Sequence, residues 1–158
     1  MKQKKKRVAV IVIVLVSIIT VHLTYSNIGL KGNKIPIRTP LILVKPLLGE
    51  PDSEENVSET GKTHYTYSNY DIWGETGSVR YSGWLWVEEI HASFYPSGDP
   101  ALKYSEILTE LQRVYSEEYS SSTEMIGVQE SHSMKRGTTI FIAQLYDSGM
   151  ISLQLYVY

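Results

Sequence analysis

Glu89 and His91 are the two residues whose types and spacing come nearest to catalytic chemistry in this chain. They stand two positions apart in "VEEIHASF", so they would lie on the same face of a β-strand. A carboxylate beside an imidazole can act as a general base, and the two groups can also bind a metal ion. A zinc site needs three or four ligands, which His64 and His132 could complete if the fold brought them together. In the alternative, these are solvated side chains on the outer face of a sheet.

The rest of the sequence lacks common catalytic motifs. It contains no cysteine, which excludes disulfides, cysteine-bound metals and thiol catalysis. It also contains no Gly-x-Ser-x-Gly elbow and no His-Glu-x-x-His motif. We therefore expect a protein that is not an enzyme and that holds no cofactor or metal. A hydrolase or metal enzyme that uses Glu89 and His91 is the lesser alternative.

A second candidate site is an aromatic binding surface. The chain has 12 tyrosines and 3 tryptophans, and such side chains bury a large area at recognition surfaces with little loss of entropy. Trp84 and Trp86 would share one strand face, where they either fill the core beneath a helix or bind a partner. The residues assigned to the candidate surface are Tyr65, Tyr67, Trp73, Trp84, Trp86, Tyr156 and Tyr158.

Alternating residues predict the strands that would position these side chains. Residues 63–70 form an aromatic-rich strand in which Tyr67 and Tyr70 face opposite sides, and Gly83 marks a bend or bulge further on. "TTIFIAQLY" and "MISLQLYVY" are two further strands, and "DSG" between them forms a hairpin turn. The expected core faces are Ile90, Ala92 and Phe94 in one strand, and Ile151, Leu153, Leu155 and Val157 in the last.

One stretch, about residues 100–119, has the spacing of a helix. Asp99 is placed to cap its first turn, and Pro100 suits the first helical position. Apolar residues recur behind them at spacings of three and four, which gives one apolar face. The order of strands, one helix and strands predicts an α+β fold. It is a two-layer sandwich in which this helix packs on an antiparallel sheet.

The stretch "LLGEPDS", residues 47–53, opens the strand-rich part of the chain. It has a single glycine, so it is not a P-loop, and Gly49 is typical of a helix C-cap with positive φ. Its Leu-Gly-x-Pro-Asp turn is followed by "HYTYSNY" and later by "IHASFY". In this order of turn and strands, residues 40–158 resemble the SmpA/OmlA-type small exported bacterial domains, whose sandwich is related to that of the beta-lactamase inhibitor proteins. The resemblance implies a binding or scaffolding module without catalysis.

The N-terminal residues predict a membrane anchor. Residues 1–7 include five lysines or arginines, and residues 8–25 are uncharged and mostly apolar. Eighteen helical residues span about 27 Å, close to the hydrocarbon thickness of a bilayer, and the basic cluster stays in the cytoplasm. We expect a single-pass protein of the cell membrane with its C-terminal domain outside the cytoplasm. The alternative is a signal peptide cleaved near residues 24–26, which would release the protein.

The remaining chain divides into a tether, residues 26–46, punctuated by proline and glycine, and an extracytoplasmic α+β domain, residues 47–158. The apolar stretch "PLILV" within the tether could instead dock on the domain as a short helix or strand. Five of the 15 basic residues lie in the first seven positions, which leaves 10 against 17 acidic residues, a balance of −7. Residues 8–158 are therefore net acidic and lack the excess of lysine and arginine that is typical of nucleic-acid-binding proteins. We expect a binding module for a protein or a cell-envelope polymer. The alternative is an immunity or inhibitor protein that blocks a basic toxin or a secreted enzyme.

Overall fold

The computed structural model describes residues 30–121 and 126–157 of the chain. Within these residues, eight strands form one antiparallel sheet in the order β1-β2-β3-β4-β8-β7-β6-β5. Two α-helices, α1 (Val44–Leu48) and α2 (Pro100–Leu111), precede β1 and follow β4. The predicted α+β class and antiparallel sheet are therefore confirmed. The strands are β1 (Ser53–Val57), β2 (Lys62–Ile72), β3 (Glu75–Gly83), β4 (Val87–Phe94), β5 (Ser116–Ser121), β6 (Val128–Arg136), β7 (Thr139–Tyr146) and β8 (Ile151–Val157).

One face of the sheet, here called the inner face, forms the core. In β4 and β8 every second side chain is apolar and buried, because successive side chains of a strand point to opposite faces. The buried cross-strand pairs are Ile90 with Leu155, Ala92 with Leu153, and Phe94 with Ile151. These pairs confirm the predicted core faces, and Val157 is partly buried against them. The opposite face, here called the outer face, carries polar residues in these strands.

Helix α2 covers part of the inner face. It begins where the sequence predicts, because Asp99 Oδ1 accepts hydrogen bonds from two backbone N–H groups of the first turn, at 2.8 and 3.3 Å. The Tyr104 hydroxyl donates to the carbonyl oxygen of Ala143 in β7 at 2.9 Å. Burial raises the pKa of this hydroxyl, so it remains a donor at neutral pH. The helix is thereby joined to the sheet by a buried hydrogen bond as well as by its apolar face.

Helix α2 is shorter than predicted, ending at Leu111 instead of near residue 119. The backbone N–H groups of Val114 and Tyr115 both donate to the Leu111 carbonyl oxygen at 2.9 Å. This turn carries both apolar side chains to the core without another turn of helix. Residues Ser116–Ser121 then pair with β6 as the edge strand β5, so sheet pairing overrides the helical spacing of the sequence.

The N-terminal segment, residues 30–48, packs on the domain instead of forming a tether. The Tyr81 hydroxyl, on the inner face, donates to Asn33 Oδ1 of this segment at 2.5 Å. The predicted tether is therefore wrong for residues 30–39, the possible docking of residues 40–46 is observed, and the domain begins before residue 47. Burial of large apolar side chains there outweighs the linker-like proline and glycine content. The buried apolar residues of the segment, each at most 5% exposed, are Leu30, Ile35, Ile37, Leu41 and Val44.

Three predicted turns are present. Gly49 ends α1 with a φ of 91°, and its N–H donates to the Lys45 carbonyl oxygen at 2.8 Å. The pairing of β3 with β4 shifts register at Gly83, which confirms the predicted bulge. Residues 147–149 connect β7 to β8, where Gly149 has a φ of 82°. Gly49 therefore lies just before β1, Gly83 ends β3, and residues 147–149 separate β7 from β8.

The predicted basic segment, residues 1–7, and membrane span, residues 8–25, lie outside the residues that the structure describes. The same holds for residues 26–29 of the predicted tether and for Tyr158. In the described part of the chain, no helix is long and apolar enough to cross a membrane. The anchor therefore stays a prediction from the sequence.

Candidate binding surface

Trp84 and Trp86 are exposed, in the short loop that joins β3 to β4. Their exposed fractions are 69% and 52%, and Leu85 between them is 64% exposed. Contact of apolar surface with water costs about 25 cal/mol per Å², so three such residues in a row favour a covering partner. Of the two alternatives predicted for these tryptophans, packing in the core is wrong.

The N-terminal segment runs beside this loop. The N–H of Leu41 donates to the Leu85 carbonyl oxygen at 2.9 Å, and Pro40 forms an antiparallel bridge with Trp86. The N–H of Val87 donates to the Thr39 carbonyl oxygen at 2.8 Å on the other side of that bridge. The loop and the segment are thus held together by backbone hydrogen bonds.

The continuation of the segment adds further exposed apolar residues. A 3-10 turn, Leu41–Leu43, leads directly into α1, and its inward side chains are buried. The outward ones are Ile42, Leu43 and Leu47, with exposed fractions of 79%, 43% and 62%. We define the tryptophan surface as the exposed apolar residues of both chain sections, Ile42, Leu43, Leu47, Trp84, Leu85 and Trp86.

Gly83 gives the tryptophan loop its shape. A Cβ atom at this position would lie 1.8 Å from the Trp86 carbonyl oxygen and 2.9 Å from its carbonyl carbon. Contacts that short are not tolerated, so only glycine allows the backbone on the two sides of the loop to approach this closely. The presentation of Trp84 and Trp86 therefore depends on a neighbouring residue that has no side chain.

The tryptophan surface is large enough to form the centre of an interface. The exposed parts of its two tryptophan residues alone amount to about 200–300 Å². Four aliphatic side chains extend this area, and exposed apolar patches of such size mark interaction sites. A standard protein interface covers about 800 Å² on each partner, of which this surface would supply the apolar part.

A charged cluster borders the tryptophan surface on the side of β1. Lys45 Nζ, in α1, lies 2.6 Å from Glu54 Oε2 and 3.5 Å from Glu50 Oε2. It also lies 5.3 Å from the centre of the Tyr65 ring. The hydrogen bond to Glu54 is the main reason that the pKa of Lys45 is raised above its ordinary value. Lys45 stays charged and joins α1 to the edge of the sheet.

The other predicted aromatic residues do not belong to this surface. Tyr67 and Trp73 are 6% and 5% exposed and lie in the core, which removes them as binding residues. Tyr65 is half-buried next to α1, and Tyr156 is half-buried on the outer face. Tyr158 lies beyond the described residues. Of the six predicted residues that the structure describes, it places only Trp84 and Trp86 in this surface.

Ile42, Leu43 and Leu47 are the functional candidates that the sequence did not single out. The stretch "PLILV" is apolar throughout, so its composition does not separate inward from outward side chains. One feature of the sequence could have indicated them. Residues 41–48 contain more apolar side chains than one side of a short helix can bury, so some of them must be exposed.

Glu89 and His91 share the outer face of β4, and each has a different partner. His91 Nε2 lies 2.9 Å from Ser152 Oγ, whereas Glu89 Oε1 lies 3.5 Å from Arg80 Nη2. Ser152 is only 1% exposed, which keeps a substrate away from its hydroxyl. This arrangement fits a hydrogen-bonded sheet surface better than a nucleophile with its base.

His64 and His132 do not complete a metal site with His91. His64 Nδ1 lies 3.9 Å from a carboxylate oxygen of Glu55, near the sheet edge. His132 lies on the inner face, where its ring centre is 6.1 Å from that of Tyr104. The sheet itself separates His132 from His91. Within residues 30–121 and 126–157, no three potential ligand side chains form a group that could hold a metal ion.

His91 is expected to make the stability of the domain depend on pH. Burial, and to a lesser degree the Arg80 guanidinium, lowers the pKa of His91 below its ordinary value of about 6.5. As the pH falls below that value, the unfolded chain binds more protons than the folded one, so the free energy of unfolding decreases. Urea unfolding of the full chain between pH 5 and 8 measures this. His91→Gln should flatten the decrease, and an unchanged slope in that variant would assign it to other groups.

No family model, no curated protein and no solved structure matches this chain. The described residues therefore define a class by architecture alone. It is an α+β domain with one eight-stranded antiparallel sheet, an N-terminal segment packed on the inner face, and an exposed apolar surface where that segment meets the β3–β4 loop.

Proposed function

We propose that this protein is a non-catalytic binding module that docks a protein partner on the tryptophan surface. The exposure of Trp84, Leu85 and Trp86 in one fixed loop is the observation that carries the proposal. Tryptophan is the residue most enriched among energetically dominant interface residues, because it loses much water-exposed area and few rotamers on binding. The resemblance of residues 47–53 and the following strands to SmpA/OmlA-type domains is consistent with such a role.

The proposed location is the outer side of a cell membrane. The apolar residues 8–25 would form a single membrane span, and the basic residues 1–7 would remain in the cytoplasm. Residues 26–29 would then connect the span to Leu30, the first buried residue of the domain. Four linking residues would keep Leu30 within about 20 Å of the bilayer, so the partner of the domain would be another molecule of the cell envelope.

Loss of both tryptophans tests the proposal. We expect Trp84→Ala with Trp86→Ala to weaken capture of the partner by at least about thirtyfold, the effect of one strong interface residue. The measurement is quantitative mass spectrometry of proteins that co-purify with the tagged full chain from its source cells in mild detergent. Tyr95→Ala is the matched control, because Tyr95 is 62% exposed at the other end of β4.

The outcomes separate the candidate partners. A protein that is retained by Tyr95→Ala and lost by the double variant supports the proposal. A partner retained equally by all three chains would contradict it. Retention on cell-wall material, unchanged by salt, would instead assign the tryptophan surface to an envelope polymer. Thermal unfolding of each variant in the same detergent shows that a loss of binding is not a loss of fold.

An immunity or inhibitor protein is the second candidate function. It is favoured by the exposed carboxylates of Glu50, Glu54 and Glu55 beside the tryptophan surface, which would suit a basic toxin or enzyme. This candidate predicts one tight partner, bound at a stoichiometry of one to one, whose activity is blocked in the complex. A partner that remains active when bound would exclude inhibition and leave the binding function in place.

A further inference from the structure

We propose that the tryptophan surface docks on a protein segment in which lysine or arginine residues stand beside apolar ones. This inference rests on the proposed function and adds the chemistry of the partner. It is based on the charges that border the tryptophan surface along α1 and β1.

Exposed carboxylates lie in β1 and in the residues on either side of it, and we call them the acidic edge. Strand β1 stands at one end of the sheet order, and residues 50–59 contain no lysine or arginine. The side chains of Glu50 and Glu55 are 85% and 72% exposed, so their charges face solvent. The residues of the acidic edge, all of them exposed, are Glu50, Asp52, Glu54, Glu55 and Glu59.

The cations beside the acidic edge do not neutralise it. Lys45 is shared by Glu50 and Glu54, at 3.5 and 2.6 Å. Lys62 Nζ lies 2.9 Å from Glu88, a carboxylate outside the edge. Each of these two cations is already matched by at least one carboxylate, so the acidic edge keeps a negative surplus.

The acidic edge adjoins the tryptophan surface along α1. Leu47 of the surface and Glu50 of the edge are three residues apart, and the Lys45–Glu54 contact holds α1 against β1. A partner that covers Leu47 therefore also comes close to Glu50 and Glu54 of the acidic edge. The apolar side chains of the partner would be buried against the indole rings, and its cationic side chains would face the carboxylates. Such complementarity speeds encounter and rejects partners of the wrong charge.

The charge pattern also sets the orientation of the partner. On the opposite flank of the tryptophan surface, Arg38 donates to the Thr138 hydroxyl at 3.0 Å, so that flank carries a positive charge. A bound cationic segment would point its basic side chains toward β1 and away from Arg38. An anionic bilayer fits this pattern poorly, because membrane surfaces attract basic residues. A second copy of this acidic domain would add like charge.

Site-specific photo-crosslinking of the full chain in its source cells tests the inference. The photoreactive residue benzoylphenylalanine replaces Leu85 in the tryptophan surface, and in a separate chain it replaces Leu102, which is 72% exposed on α2. We expect adducts from position 85 with a protein whose crosslinked segment is rich in lysine or arginine. Adding Glu55→Gln and Glu59→Gln should reduce the adduct by at least about fivefold, because two steering charges are lost. The charge-matched control, Glu106→Gln with Asp147→Asn, removes two exposed acids elsewhere and should leave the adduct unchanged.

The outcomes distinguish failure of the inference from failure of the proposed function. A protein adduct through a neutral or acidic segment, unaffected by Glu55→Gln and Glu59→Gln, would overturn the inference and leave the binding function intact. Lipid adducts alone, or protein adducts no stronger at position 85 than at 102, would overturn both the inference and the proposed function. Because every substituted carboxylate is exposed, thermal unfolding of the variants should match that of the unmodified chain.

Discussion

Replacement of Ile35 by alanine is expected to lower the free energy of unfolding by about 2–5 kcal/mol, the usual cost of removing a large side chain from a core. Ile35 is 1% exposed, and its neighbour Asn33 accepts the buried hydrogen bond of Tyr81. The cavity left by the substitution would lie between the N-terminal segment and the inner face. Denaturant unfolding of the purified full chain, followed by tryptophan fluorescence, measures the change.

Ile42→Ala provides a matched control for that measurement. The same side chain is removed from the same segment seven residues later, but Ile42 is 79% exposed, so the change should stay within about 0.5 kcal/mol. Equal and small effects at both positions would show that residues 30–48 are a tether after all. A large effect at Ile35 alone establishes that the segment is part of the folded core.

Gly83→Ala is expected to have the second large effect, a loss of about 3 kcal/mol of stability together with loss of partner binding. The added Cβ would lie 1.8 Å from the Trp86 carbonyl oxygen, and backbone on both sides must move to relieve the contact. Such movement disrupts the register shift between β3 and β4 and displaces both tryptophans. Thermal unfolding gives the first effect, and capture of the partner gives the second.

Gly98→Ala is the control for Gly83→Ala. A Cβ at Gly98 meets nothing within 4 Å, in the loop between β4 and α2. The same methyl group should therefore leave stability and binding nearly unchanged. If both glycine variants unfold at the same temperature as the unmodified chain, the close approach at Gly83 is relieved at little cost, and the tryptophan loop is more pliable than its geometry indicates.

Local patterns predicted the central strands and the start of α2 because those features are decided by near neighbours. Alternation defined the buried faces of β4 and β8, and Asp99 identified the first turn of the helix. A register shift between Tyr67 and Tyr70 defeated the same reasoning in β2. The inserted residue places Tyr70 on the inner face, where its hydroxyl lies 3.3 Å from that of Tyr81.

The edge strands and the N-terminal segment could not be predicted in this way. Strand β1 is polar and exposed, so its residues show no alternation, and only pairing with β2 defines it. Strand β5 is rich in serine. The apolar residues before it keep the spacing of a helix up to Tyr115, although the chain forms a turn after Leu111. Residues 30–46 have the composition of a linker, and their burial depends on the inner face of a sheet that forms from later residues.

The candidate site was predicted in its most distinctive residues and missed in its extent. Trp84 and Trp86 can be recognised as candidates because they are tryptophans. The exposure of their side chains, however, depends on the bulge at Gly83, which ends β3. Ile42, Leu43 and Leu47 join them only because the N-terminal segment pairs with the loop, a contact between residues more than 40 positions apart. Trp73 has the same residue type as Trp84 and Trp86 but is buried, and so is Tyr67, because residue type alone does not decide whether an aromatic side chain is buried.

The hydrogen bonds of the N-terminal segment determine how the domain responds to mechanical load. Tension applied from residues preceding Leu30 reaches the domain where the N–H of Trp73 donates to the Lys31 carbonyl oxygen. Further along the segment, the backbone hydrogen bonds of Arg38 and Thr39 with Val87 resist the same load. The tryptophan loop continues directly from those bonds. A pull on the N-terminal side would thus reach the backbone that presents Trp84 and Trp86, so tension and the proposed partner binding would act on the same few residues.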